Sequence, residues 1–385
     1  MSEYDFSLCE RNWSLARYLD FPLPSSTSMS PPRFDEEMSD PIPSSTPPAK
    51  RSVRTPASSP ASRRKRQKLS WVENTPTATT VNYKSPDYVR ELMARGVYQS
   101  DGKPTEYHMM VAQLEKRPAH WQDLPSRTLD SFDVIIQSIG NKGSIQGGIV
   151  PLLMDYIGLL LNPETLAVMD IPFEQCQLPI QFDCKNIPAP YPDVSVGLHR
   201  SQFMDYIPAL HHLDDIASPI SRTPDLIFPC FALKAKGNSG SIMDVETQNR
   251  HNTANMLFNL RQLSVLANGE EATHRSFDRT IKAYSATVSQ QALTIFSHWV
   301  EQNEDRQGLT FYSYPVKSVA FGGCGSYEDW NRAAMYLQNA ISFTVQKTIS
   351  QVKEDLPRLN KEILRQIHGQ PTQPTTTPSS PKSSQ

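Results

Sequence analysis

The sequence predicts an α/β fold, a central mixed β-sheet flanked by helices, held between two disordered arms. Three observations predict it. Helical periodicity at the start of the core gives way to short β-prone runs, then to one long helix, then to more strands and a closing helix. The early strands are close enough in sequence to pair as a meander, whereas the later ones return after the long helix by a crossover. The flanks are rich in Ser, Pro and Thr, and the 32 prolines with an apolar content of only 38% fit a real core diluted by such flanks.

Residues 1–83 form the first arm. Stretches such as FPLPSSTSMSPPRF and DPIPSSTPPAK bury too little apolar surface to offset chain entropy. NWSLARYLDF, near the start, has the pattern of a short amphipathic helix that folds on a partner, or of a solvated local cluster. A basic block occupies 50–68: Lys50 and Arg51, then Arg63, Arg64, Lys65, Arg66 and Lys68 after the spacer 52–62. Two basic clusters across a flexible spacer match a bipartite import signal, read by acidic grooves of the nuclear import receptor. This places the protein in the nucleus, and the same arm has the charge to touch DNA. Thr55-Pro56, Ser59-Pro60 and Thr75-Pro76 flank the block, where phosphate would offset its charge.

The ordered domain is expected over 84–366. SPDYVRELMARG reads as a helix with Ser85 as N-cap, Pro86 at the first helical position and Gly96 at its end. Further helices are expected near 105–117, 126–139 and 148–161. LAVMDIPF, LPIQFDC, PDVSVGL and DLIFPCFALKAKG follow as strands. From about 242 to 267, Val245, Asn249, Asn252, Met256, Leu260 and Leu263 recur along one stripe, the spacing of a helix. IKAYSATVS, ALTIFSHWVE and FYSYPVKSVAF are the returning strands, and a helix over about 326–366 closes the core. Residues 367–385 form a second disordered arm. No internal repeat is visible.

Several classes are excluded. No apolar run can span a bilayer, since Ile149–Leu161 is broken by Pro151 and Asp155. The start, MSEYDFSLCE, lacks the basic-then-apolar order of a secretory signal. Five scattered cysteines without a CxxC pair read as reduced thiols, with no zinc site. The glycine loops at 140–148 and 236–241 lack the order of a phosphate loop, and His211-His212 with Asp214-Asp215 reads as a polar loop.

The chemistry concentrates in one place. Lys234 and Lys236 lie two apart in the apolar strand DLIFPCFALKAKG, on one face of it, where burial of two ammonium groups requires anions nearby. Asp193 follows Pro192 at the start of PDVSVGL, and Glu246 and Gln248 open the long helix after the lysine strand. Over Pro192–Leu263 this order resembles the PD-(D/E)XK nuclease-like superfamily, particularly its fungal nuclease-like branch. Weaker similarity in the order of elements extends over about 145–350.

The resemblance implies a restriction-endonuclease-like core. In that superfamily an Asp on one strand and a Glu-x-Lys triplet on the next hold Mg²⁺ and activate water against a phosphodiester, as a hard cation and a polarised water require. Pro192-Asp193 matches the PD and Lys236 the motif lysine, but Lys234 stands in the Glu position. A charged lysine cannot ligate Mg²⁺ and repels it. Glu246 is the nearest substitute ligand. Asp225 lies nine residues before Lys234, about 30 Å along a strand, and Asp155 is a remote outer candidate. Taken singly, each residue also has a structural role: a turn cap for Asp193, edge protection for the lysines, a helix-dipole charge for Glu246.

The leading expectation is a nuclear, nuclease-like protein with an impaired metal site, in which Lys234 and Lys236 present a phosphate-binding surface to DNA or RNA, or the domain engages protein partners. The alternatives are an active Mg²⁺-dependent DNA endonuclease using Asp193, Lys236 and Glu246, and a regulatory scaffold without nucleic-acid binding.

Overall fold

The computed structural model describes residues 80–119, 121–124, 130, 148, 150–151, 154, 163–179, 185–220, 222–236, 241–289, 291–303, 308–320 and 326–369. The basic block, the tail, the helix over 126–139 except residue 130, most of that over 148–161, Asp155 and Cys324 lie outside the described residues.

The described residues begin with α1 (Pro86–Met93), β1 (Val97–Gln99) and α2 (Tyr107–Glu115). Then come β2 (Thr165–Met169), β3 (Val194–His199), a 3-10 helix (Arg200–Tyr206), α3 (Ile207–His212) and α4 (Asp214–Ala217). β4 (Leu226–Ala235) leads into α5 (Ile242–Asn268) and α6 (Glu270–Phe277). β5 (Ala283–Val288), β6 (Ala292–Asn303), β7 (Gly308–Ala320) and α7 (Tyr327–Gly369) complete it.

The seven strands form one mixed sheet in the order β1-β7-β6-β5-β4-β3-β2. β2, β3 and β4 make the antiparallel meander, and β5 returns parallel to β4 after the crossover through α5. β5, β6 and β7 are antiparallel, and β1 runs parallel to β7 at the edge.

Local chemistry explains the ends of the elements. The Ser85 hydroxyl accepts from the Asp87 N–H, Pro86 starts α1, and Gly96 takes a φ of 77°. Ser241 caps α5 in the same way through the Met243 N–H at 3.1 Å, and Gly269 ends it at φ 83°. Pro229 lies in the middle of a central strand because β4 bulges there. Register with β3 jumps from Leu198↔Ile227 to Val196↔Phe231, and Phe228 adopts φ 43°. Gly197 fits against this bulge because a Cβ would come within 2.8 Å of the Pro229 Cα.

The two faces of the sheet have different characters. Val194, Val196, Leu233, Ala235, Ala286 and Val288 belong to the main core with α7 and α2, including Trp330, Leu337, Ile341 and Leu114. The opposite side carries α5: Met256 packs on Ala232, and Ala254 and Leu257 pack with Ala283, Tyr88 and Phe311. Period-2 alternation therefore sends Asp193, Ser195 and Lys234 towards α5.

Some local expectations need correction. Residues 211–215 are not an open loop; they run from α3 into α4 through the single turn residue Leu213, and Leu210, Leu213 and Ala217 fill the core while His211, His212, Asp214 and Asp215 stay exposed. β1 and α6 were not anticipated, being too short for their periodicity to show. Leu178 and Pro179, expected to begin a strand, are outside any strand, and 180–184 lie outside the described residues.

Candidate functional site

Register brings Asp193 and Lys234 together. Val194 pairs with Leu233, so the residues one step outward on β3 and β4 face each other, and the Asp193 N–H donates to the Leu233 carbonyl at 3.0 Å. Lys234 Nζ lies 2.9 Å from Asp193 Oδ1, and the Ala235 N–H donates to Asp193 Oδ2 at 2.6 Å. Asp193 is 0% exposed and Lys234 3%. A full ion pair thus sits inside the protein, where neither charge would be tolerated alone.

A third partner closes it from outside. Lys234 Nζ also donates to the Tyr191 carbonyl and stands 5.0 Å from the centre of the Tyr191 ring. The Tyr191 hydroxyl donates to Asp170 Oδ1 at 2.9 Å, and its backbone N–H donates to Asn252 Oδ1 of α5 at 3.0 Å. Burial, then the Asp170 carboxylate, hold the Tyr191 phenol above its ordinary value. Asp170 directly follows β2, and its N–H donates to the Asp193 carbonyl at 2.9 Å. Its φ of 55° is a left-handed conformation that Asp accommodates better than most residues. Asp170, Asp193 and Lys234 thus form a row across three neighbouring strands.

The other expected site residues are placed differently. Lys236 is half-buried one residue beyond β4, and its N–H donates to the Val288 carbonyl at 2.8 Å. Glu246 occupies the second turn of α5. Half-burial raises its carboxyl above the usual range, with the Arg250 charge one turn on pulling the other way. Asp225 is exposed before the opposite end of β4, where its carbonyl accepts from the Arg200 N–H. β4 thus meets Asp193 through the Lys234 ammonium and the Ala235 N–H.

These residues do not fit Mg²⁺. One Asp193 oxygen is on an ammonium and the other on a backbone amide, so a hard cation would have to displace the ammonium from a buried pair. Among the described residues, no three His, Cys, Asp or Glu side chains cluster as metal ligands. No described helix is long and apolar enough to cross a membrane.

Sequence reasoning missed Asp170, Tyr191 and Asn252. Asp170 lay in plain view at the end of the β-prone run LAVMDIPF, and Tyr191 between Pro190 and Pro192. Asn252 was assigned to the helix stripe, and its inward amide signalled a buried partner.

A second polar seam lies beside this row, under α5. Asn249 Nδ2 donates to Ser285 Oγ at 2.7 Å, and Ser285 Oγ is 2.7 Å from His298 Nε2. Burial, and then the Arg250 charge, push His298 down to about 3, so this imidazole is neutral. Ser285 is 0% exposed and His298 3%, so the pair is sealed from any substrate and serves the helix–sheet contact.

Comparison with known proteins adds one relation. The model of a family described as a domain of unknown function (DUF7924) matches residues 141–356, from before β2 into α7. No curated protein matches the chain.

Proposed function

The chain belongs to the DUF7924 family, and from that premise we propose that its domain is a PD-(D/E)XK nuclease-like fold in which a lysine fills the metal position, within a nuclear protein that binds nucleic acid without cutting it. The observation that carries this reading is the buried Lys234–Asp193 pair at 2.9 Å. Lys234 stands where the resemblance requires a metal-binding Glu, opposite the Asp, and its ammonium supplies internally the positive charge that a divalent cation would bring. The meander β2-β3-β4, the crossover helix and the parallel β5 are what such a core needs around that position. Nuclear location rests on the two basic clusters of 50–68, and deletion of that block should abolish nuclear accumulation.

The test uses the full chain. Fluorescence anisotropy with labelled DNA and RNA is expected to show binding that weakens steeply with salt, and incubation with Mg²⁺ to leave plasmid and single-stranded substrates intact. Mg²⁺-dependent cleavage lost in both Asp193→Ala and Glu246→Ala would overturn the non-cutting reading in favour of a working endonuclease. Absence of salt-dependent affinity for either nucleic acid would overturn it in favour of a protein-binding scaffold.

A further inference from the structure

Tyr191 is 43% exposed, yet it is held as firmly as a core residue. Asn252 Oδ1 fixes its N–H, Lys234 its carbonyl, and Asp170 its hydroxyl. Pro190 and Pro192 restrict the backbone on both sides, and the Pro190 carbonyl is tied to the Phe173 N–H at 2.9 Å. Shielding the ion pair needs apolar cover, which Leu or Met would give. It does not need a phenol tethered at its far end to a neighbouring strand. An exposed aromatic ring whose ordering entropy is already spent is a preorganised stacking surface. One cationic side chain is close by: Arg222, exposed and near enough to act electrostatically on the Tyr191 phenol.

We infer that Tyr191 is a base-stacking platform, and that the nucleic acid this site takes is single-stranded. The step rests on the nucleic-acid reading above. A ring fixed in orientation presents its free face to one flat partner. Bases offer such faces when unstacked, whereas in a duplex both faces are covered by neighbouring pairs. Stacking of this kind tolerates any base, so the site discriminates strand state rather than sequence. Asp170 holds the ring by its hydroxyl edge, and its carboxylate disfavours a phosphate on that side. The backbone of the strand is therefore expected to run on the Arg222 side.

The experiment compares a labelled oligothymidylate with a hairpin duplex by anisotropy, using the full chain and the variant Tyr191→Leu, which keeps apolar cover over the ion pair. The expected result is tighter binding of the single strand and a loss of about tenfold in the variant, with duplex binding little changed. Equal single-strand affinity of a folded Tyr191→Leu and the wild type would overturn the inference while leaving the nucleic-acid reading intact. No binding of either probe by the wild type would overturn both. Photo-crosslinking of the wild type to a 5-iodouracil oligonucleotide, mapped by mass spectrometry, gives a readout that does not depend on the variant folding. Adducts at Tyr191 support the platform, and adducts confined elsewhere overturn it.

Discussion

Replacing Lys234 by Met should be among the most damaging single changes to the domain, and its cost follows from the geometry. At 2.9 Å and an effective dielectric constant of about 20, the pair attracts by about 6 kcal/mol. Withdrawing two charges from water costs several kcal/mol each, so the intact pair contributes little net stability. Lys234→Met removes the attraction but leaves the Asp193 carboxylate at 0% exposure, where water cannot replace the ammonium. The expected loss is about 3–5 kcal/mol, the range for breaking a buried pair from one side. In a domain of this size that lowers Tm by about 6–20 °C. Asp193→Leu should cost a similar amount, since it strands the ammonium and leaves the Ala235 N–H without its acceptor, whereas the double variant should recover the part that comes from a stranded charge. Differential scanning calorimetry and urea titration of the four proteins give the coupling energy directly. Raising the salt to 1 M should not reduce it, since a buried pair is poorly screened. A Lys234→Met protein within about 1 kcal/mol of wild type, or a double variant no better than the sum of the singles, would refute the buried-pair account.

Other expectations can be checked on the same samples. Lys234→Glu removes the ammonium and sets two carboxylates across β3 and β4, so Mg²⁺ should raise the Tm of this variant and not of the wild type; equal responses to Mg²⁺ would refute the proposal that Lys234 fills a metal position. Gly197→Ala should lose about 1–3 kcal/mol in urea melts, because the new Cβ meets Pro229 Cα at 2.8 Å and Ile227 O at 2.9 Å, both backbone atoms. His251 and His298 are pushed down to about 3, chiefly by burial. Below pH 6.5 the unfolded chain takes up protons that the folded one refuses, so stability should fall with acid at up to about 2.7 kcal/mol per pH unit from the pair. Imidazole resonances of both rings that titrate near pH 6.5 in the folded protein would refute this. Burial, with the Lys347 charge, lowers the Lys282 amine to about 8. Between pH 8 and 10.5 the unfolded lysine binds the proton more often, so stability should rise with pH there, and Lys282→Met should flatten that rise by up to about 1.4 kcal/mol per unit. Equal slopes in the two proteins would count against it.

By itself the sequence determined the order and type of the long elements. Ser85-Pro86 and the Asn249–Asn252–Met256 stripe are local signals, written into adjacent turns, and the structure has α1 and α5 where they indicate. The sequence also singled out Asp193 and Lys234, because an acid after Pro and a lysine in an apolar strand each break a local rule. It could not give them to each other. Their contact spans 41 positions, that of Tyr191 with Asn252 spans 61, and that of Tyr191 with Asp170 spans 21. Which side chains meet over such distances depends on strand register, and a slip of one residue would turn Lys234 to the opposite face, into the apolar core with α7. The Phe228–Pro229 bulge helps set that register, through backbone geometry that no periodicity announces. Tertiary structure therefore decided that the buried anion beside the lysine strand goes to Lys234, and that Asp170, Tyr191 and Asn252 enclose the pair.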